Sequence, residues 1–176
     1  MTARVVRSML AGGDRRSIGR ADEVVDLVRL QPKELAHLIE CLWDSDSLVC
    51  MRAADAAEKI SRKQPHLLQP YKRALLSLLA DATQQEVRWH LAVIIPRLQL
   101  SAAECRRVAK LLRAYLEDRS SIVKTFAMQG LSDLTHQDAS LRSMVLDLVR
   151  SLMRTGTAAM RARGRILLGR MESRDS

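Results

Sequence analysis

Five cationic side chains and one tryptophan carry most of the chemistry on offer in this sequence. Arg52, Arg88, Lys124 and Arg161 each follow an apolar residue, Met51, Val87, Val123 and Met160, and successive bases lie 36, 36 and 37 positions apart. Arg165 stands one helical turn beyond Arg161. A guanidinium binds phosphate or carboxylate through paired hydrogen bonds, and an ammonium does so as a point charge. A parallel row of such groups therefore suits an anionic ligand. Trp89 directly follows Arg88 and is one of two tryptophans. Exposed beside an arginine, it would anchor a protein partner or stack on a nucleobase; packed between helices, it would be core. The other tryptophan, Trp43, reads as core or as a staple at a helix end.

Other chemistries find little support. His37 and Cys41 lie four apart, and Cys50 follows nine later, but a zinc site needs three or four ligands in fixed geometry. His66, His90 and His136 occur in unrelated contexts, and no serine or cysteine stands near a histidine and an acid in a triad-like arrangement. Gly12-Gly13 lacks the Lys-Ser or Lys-Thr that completes a phosphate-binding loop. The expectation is a chain without catalytic residues, bound metal or cofactor.

These side chains need elements to position them. Apolar residues form 47% of the 176-residue chain but aromatics only 3%, so its interior is made of Leu, Ile, Val, Ala and Met, the material of helix packing. Gly and Pro number 7 and 4, which leaves few turns and long elements. A chain of this length can bury roughly 70% of its unfolded surface in one core, here taken as a single domain over residues 1–176. The net charge of +9 predicts attraction to polyanions. Residues 1–103 carry 15 bases against 12 acids and residues 104–176 carry 14 against 8, so the excess is C-terminal. The odd number of cysteines, Cys41, Cys50 and Cys105, predicts packing thiols in a reducing compartment, the cytoplasm. The longest apolar run, residues 91–95, is far short of the ~20 needed to cross a bilayer. The Arg-rich start of the chain has some character of a transit peptide but also fits a first helix.

The decisive organisation is a repeat. Segments beginning at Leu42, Leu78, Leu116 and Leu152 share an apolar helix end, a polar turn, an apolar-basic pair and a helix rich in small residues; a weaker copy begins at Met9 and places Arg20 thirty-two positions before Arg52. Leu35, Leu38, Ile39 and Leu42 fall on one helical face, as do Val108, Leu111, Leu112 and Tyr115, and Val145, Leu148, Val149 and Leu152. These are first helices. The second helices carry Ala53, Ala54, Ala56 and Ala57, or Ala127 and Gly130, which predicts close stacking. Pro32 and Pro70 read as first positions of first helices, Gln64-Pro65 as an exit from a second helix, and Ser101 with Glu104 as a capping box.

An acid followed six positions later by a base, recurring every ~37 residues, resembles the HEAT repeat. The residues that carry the likeness are Asp46 with Arg52, Asp118 with Lys124 and Asp14 with Arg20, together with the alanines after Arg52. It extends over residues 3–171. The resemblance implies an all-α, right-handed α-solenoid of about five helical hairpins, with second helices lining the concave face. It also implies a ladder of turn acids bonded to second-helix bases within and between repeats. Ala82 and Thr155 stand where Arg88 and Arg161 would need acids, so those two bases are expected to be free for a ligand.

HEAT arrays serve unrelated functions, so function must be argued from a site. The first reading is a non-enzymatic scaffold that grips a protein partner carrying acidic groups through Arg52, Arg88, Trp89, Lys124, Arg161 and Arg165. On that reading Trp89→Ala weakens partner binding far more than it lowers thermal stability. The alternative is nucleic-acid binding through a basic concave face. Some alkylpurine DNA glycosylases are built from similar repeats, but no motif of theirs matches here residue by residue. Near the C-terminus Arg150, Arg154, Arg161, Arg163, Arg165, Arg170 and Arg174 face only Glu172 and Asp175, as either a solvated cap or a polyanion-binding end. Exposed terminal helices also allow a homodimer.

Overall fold

The structure, a computed structural model, describes residues 3–14 and 17–173. Arg15, Arg16, Arg174 and Asp175 lie outside the described residues. All regular structure among the described residues is helical, so the chain is all-α. Five helix pairs follow in order: α1 (Ala3–Leu10) with α2 (Ala21–Leu30), α3 (Leu35–Glu40) with α4 (Ser47–Lys63), α5 (Lys72–Asp81) with α6 (Gln85–Ile94), α7 (Ala102–Tyr115) with α8 (Ser121–Leu134), and α9 (Arg142–Thr155) with α10 (Ala158–Glu172).

The boundaries follow local chemistry. Ser101 and Glu104 form the expected capping box: Ser101 Oγ accepts from the Glu104 N–H at 3.3 Å and Glu104 Oε2 accepts from the Ser101 N–H at 2.7 Å. Asp46, Ser120 and Thr157 accept from main-chain N–H groups in the first turns of α4, α8 and α10. Pro32 opens a 3-10 turn that runs into α3, and α4 stops at Lys63, two residues before Pro65. Pro70 departs from expectation. It lies inside a 3-10 run, Pro65–Tyr71, and α5 begins only at Lys72. Two prolines five apart remove two N–H donors and disfavour α geometry in the residues before them, so the regular helix waits until both have passed.

The second helices pack on one another in sequence, α2 on α4, α4 on α6, α6 on α8 and α8 on α10. Small residues make this possible. Ala53, Ala54, Ala56 and Ala57 are completely buried in α4. In α8, Gly130 lies so close to α6 that a Cβ there would collide with the carbonyl oxygen of Ala92 and stand 2.9 Å from Leu112 Cδ1. The connections between pairs are stitched by glutamines. Gln137 Nε2 donates to the carbonyls of Pro96 and Leu98 at 2.8 and 2.9 Å, and its Oε1 accepts from the Leu100 N–H at 3.0 Å. Gln69 exchanges two such bonds with the main chain of Gln99.

Candidate binding surface

The turn inside each helix pair sets the first residues of the second helix, and this is where the periodic bases lie. Their fates differ. Arg52 is 1% exposed, and its guanidinium is taken up inside the fold. Its Nη1 donates to the carbonyls of Leu10 and Gly12 at 2.7 and 2.5 Å, Nη2 to Asp14 at 2.9 Å, and Nε to Ser17 at 3.1 Å. The carbonyls of Leu10, Gly12, Asp14 and Ser17 thus close around this guanidinium. Gly12, Gly13 and Gly19 have φ values of 73°, 77° and 57°, a left-handed region open to glycine at little cost. Gly19 has a second constraint, since a Cβ there would sit 3.0 Å from the guanidinium.

Arg88 is also engaged, contrary to the expectation that it is free. Nε donates to its own turn at the Ala82 carbonyl, 2.7 Å, and Nη1 bonds Asp118 Oδ2 of the next pair at 2.5 Å. The guanidinium carbon lies 5.1 Å from the centre of the Tyr115 ring, within the range of a cation–π contact. Tyr115 is itself fixed, its hydroxyl donating to the Leu79 carbonyl at 2.5 Å, and burial pushes its pKa up to about 12. Burial pushes the Asp118 carboxyl upward, but the Ser120 N–H and Arg88 outweigh it, and the net shift is below the ordinary carboxylate value.

Asp46 and Asp118 hydrogen-bond groups other than the bases six positions on, and Asp118 feels Lys124 only as a nearby charge. Asp46 caps α4 through the Leu48 N–H at 2.9 Å, Asp118 bonds Arg88 instead of Lys124, and Arg20 is tied to Glu23 by bonds of 2.7 and 2.9 Å. Acid–base links between successive pairs do occur, one of them between a second-helix base and the turn acid of the next pair. Arg7 of α1 holds Asp44 with two bonds of 2.6 and 2.9 Å, and Arg88 holds Asp118.

Lys124, Arg161 and Arg165 remain. Lys124 is half-buried at the start of α8 and makes no side-chain hydrogen bond or ion pair among the described residues, its charge lying near that of Asp118. Arg161 is exposed and donates only to the Gly156 carbonyl of its own turn at 2.7 Å. Arg165 is exposed on α10 without a bonded partner among the described residues. Arg163, between them, reaches Gln129 of α8 at 3.3 Å. The turn at Gly156 redirects the chain, so Arg154 belongs to α9 and does not continue the face of Arg161 and Arg165.

The tryptophans exchange roles in part. Trp89 is half-buried, packed on the core with its ring tilted against His90 at 5.7 Å between centroids. Trp43, expected as core or staple, is 50% exposed and lines a cleft between two turns. The 3-10 turn Cys41–Trp43 causes this, because it buries Cys41 and Leu42 and rotates the third side chain outward.

Sequence reasoning passed over an ionic network on the second helices. Glu58, buried in α4, accepts from Arg62 and from Arg97 beyond α6, both at 2.8 Å, and Arg97 also donates to Ser61 Oγ at 2.6 Å. Lys59 bridges Asp55 of its own helix and Asp22 of α2 at 2.8 and 2.7 Å. Only the i, i+4 halves of these clusters were visible as spacing.

The three cysteines are buried thiols, with Cys41 pushed up to about 11 by burial. His37 bonds Glu34 at 3.1 Å, and no group of three or more potential metal ligands gathers among the described residues. No helix among them is long and apolar enough to cross a membrane.

No family model matches the chain, and no curated protein matches it. Among solved structures eight chains match. One is the crystal structure of an engineered protein, to which this chain is similar with a TM-score of 0.65 and 16% identity, over 97% of this chain and 79% of that one. The likeness is one of helical fold.

Proposed function

We propose that the chain is a right-handed α-solenoid of the HEAT-repeat kind, about five hairpins long, acting as a non-enzymatic scaffold in the cytoplasm. It holds an acidic protein partner against its second-helix face, toward the C-terminal end. The observation that carries this reading is the contrast among the periodic bases. Arg52 and Arg88 are consumed by main-chain carbonyls and by Asp118, while Lys124, Arg161 and Arg165, on the neighbouring helices α8 and α10, make no ion pair with a carboxylate among the described residues, although Lys124 lies in the field of Asp118. Cations that are not tied up in ion pairs, of which Arg161 and Arg165 are exposed, steer an acidic partner and set which partner is accepted. Trp89 contributes its exposed edge.

Nucleic acid is the second reading, favoured by the +9 charge and its C-terminal excess. The test is affinity capture of the tagged chain from its own cell extract, with and without nuclease, beside the triple variant Lys124→Glu, Arg161→Glu, Arg165→Glu. Protein partners that survive nuclease and are lost from the variant are the expected result. Partners that vanish with nuclease would transfer the same bases to phosphate binding, with a steep fall in affinity with salt. Capture unchanged by the triple variant would remove the basic surface from either reading.

A further inference from the structure

A second surface has the opposite electrostatic sign. Between the α3–α4 and α5–α6 turns lies a cleft of about 530 Å³, within the size range of ligand sites. Its apolar lining comes from Leu42, Leu78, Ala82 and Val87, and the half-exposed Trp43 stands at its edge. The two turns are tied together by Gln84 Nε2, which donates to the Ser47 carbonyl at 2.9 Å.

In a chain of net charge +9, no Lys, Arg or His lines this cleft, whereas two aspartates do. Asp44 is neutralised by Arg7. Asp81 is exposed, with a 3.4 Å bond from Ser77 Oγ and no cationic partner among the described residues. An apolar floor, an indole face and one uncompensated carboxylate form the complement of a cation on an aliphatic stem. Such a side chain lays its methylenes on apolar surface and keeps its charged head near water, and a guanidinium also stacks on indole.

We propose that this cleft is a docking site for an arginine or lysine side chain of a partner polypeptide, its stem against Leu42, Leu78 and Val87 and its charge between Trp43 and Asp81. This site is independent of the basic surface on α8 and α10, and it selects a residue of opposite charge.

Having only two tryptophans makes the test direct. Two indole N–H signals are followed by NMR in the intact chain, with Trp43→Phe assigning the Trp43 signal. Three probes are titrated at physiological salt: acetyl-Leu-Arg-Leu-amide, its Gln counterpart and its Glu counterpart. The arginyl peptide is expected to shift the Trp43 signal saturably, with affinity about tenfold above the glutaminyl peptide, the scale of one charge-assisted hydrogen bond. Asp81→Asn should bring the two peptides level. Asp81 is exposed, so this variant should keep the melting temperature of the parent. Equal affinity for the arginyl and glutaminyl peptides in the parent would overturn the proposal and leave an uncharged apolar cleft. Absence of a saturable Trp43 shift, or a preference for the glutamyl peptide, would overturn it as well.

Discussion

Arg88 on α6 reaches Asp118 of the following helix pair at 2.5 Å, whereas Lys124, six positions after the same aspartate, bonds nothing among the described residues. The acid at this turn therefore serves the preceding base. Arg88 has length and a planar fork to bond Ala82 and Asp118 together while facing the Tyr115 ring. A double-mutant cycle of Arg88→Ala and Asp118→Ala should return a coupling of about 1–2 kcal/mol, between the values for exposed and buried pairs. Lys124→Ala should change stability by no more than about 0.5 kcal/mol. Urea unfolding measures all three. Asp118 is held below its ordinary value, so the stability it contributes is full above that value and is lost as pH falls through the lower folded one. Asp118→Asn should remove that acid-side loss.

Arg52 gathers main-chain carbonyls from residues 10, 12, 14 and 17. Removing it leaves the carbonyls of Leu10, Gly12, Asp14 and Ser17 without this donor, and Arg52→Ala should cost about 3–5 kcal/mol. Arg52→Lys should rescue little, because one ammonium lacks the fork that spans four acceptors. Hydrogen exchange would locate the damage: protection of α1 should fall well before that of α6 and α8. Uniform loss across all five pairs would contradict a local clamp.

Gly130→Ala should destabilise by about 3 kcal/mol or more, since overpacking against a backbone carbonyl has no flexible neighbour to absorb it. Gly169→Ala provides the control. Nothing lies within 4 Å of a Cβ at that position, and a helical Gly→Ala exchange there should raise stability by up to about 1 kcal/mol. Thermal melts of the two variants should move in opposite directions.

His90 is pushed down to about 4, first by burial, and it faces Asp55, Glu58, Arg62 and Lys59 of α4. The unfolded chain binds a proton near pH 6.5, before the folded one does, so stability should be full above about 6.5 and decline as pH falls toward 4. His90→Gln should flatten that interval of the stability curve. An unchanged slope would show that the carboxylates of α4 carry it instead.

What could be read in advance was whatever depends on residues close in sequence or on strict periodicity. The capping box at Ser101, the proline turn at Pro32 and the small residues of α4 and α8 are local or periodic facts, and they define paired helices with tight second-helix packing. The spacing of Arg52, Arg88, Lys124 and Arg161 was equally legible. Their partners were not. Arg52 is satisfied by carbonyls 35 to 42 positions away, and carbonyls leave no mark in residue type. Arg88 finds an acid 30 positions on because the pairs are offset when stacked, and Trp43 turns outward because its helix ends in a 3-10 turn. Sequence determined by itself where cations recur, since recurrence is a matter of chain position. Only the tertiary structure decided which are clamps and which stay outside any ion pair among the described residues, because the acceptors a cation meets depend on the neighbour that packing brings against it.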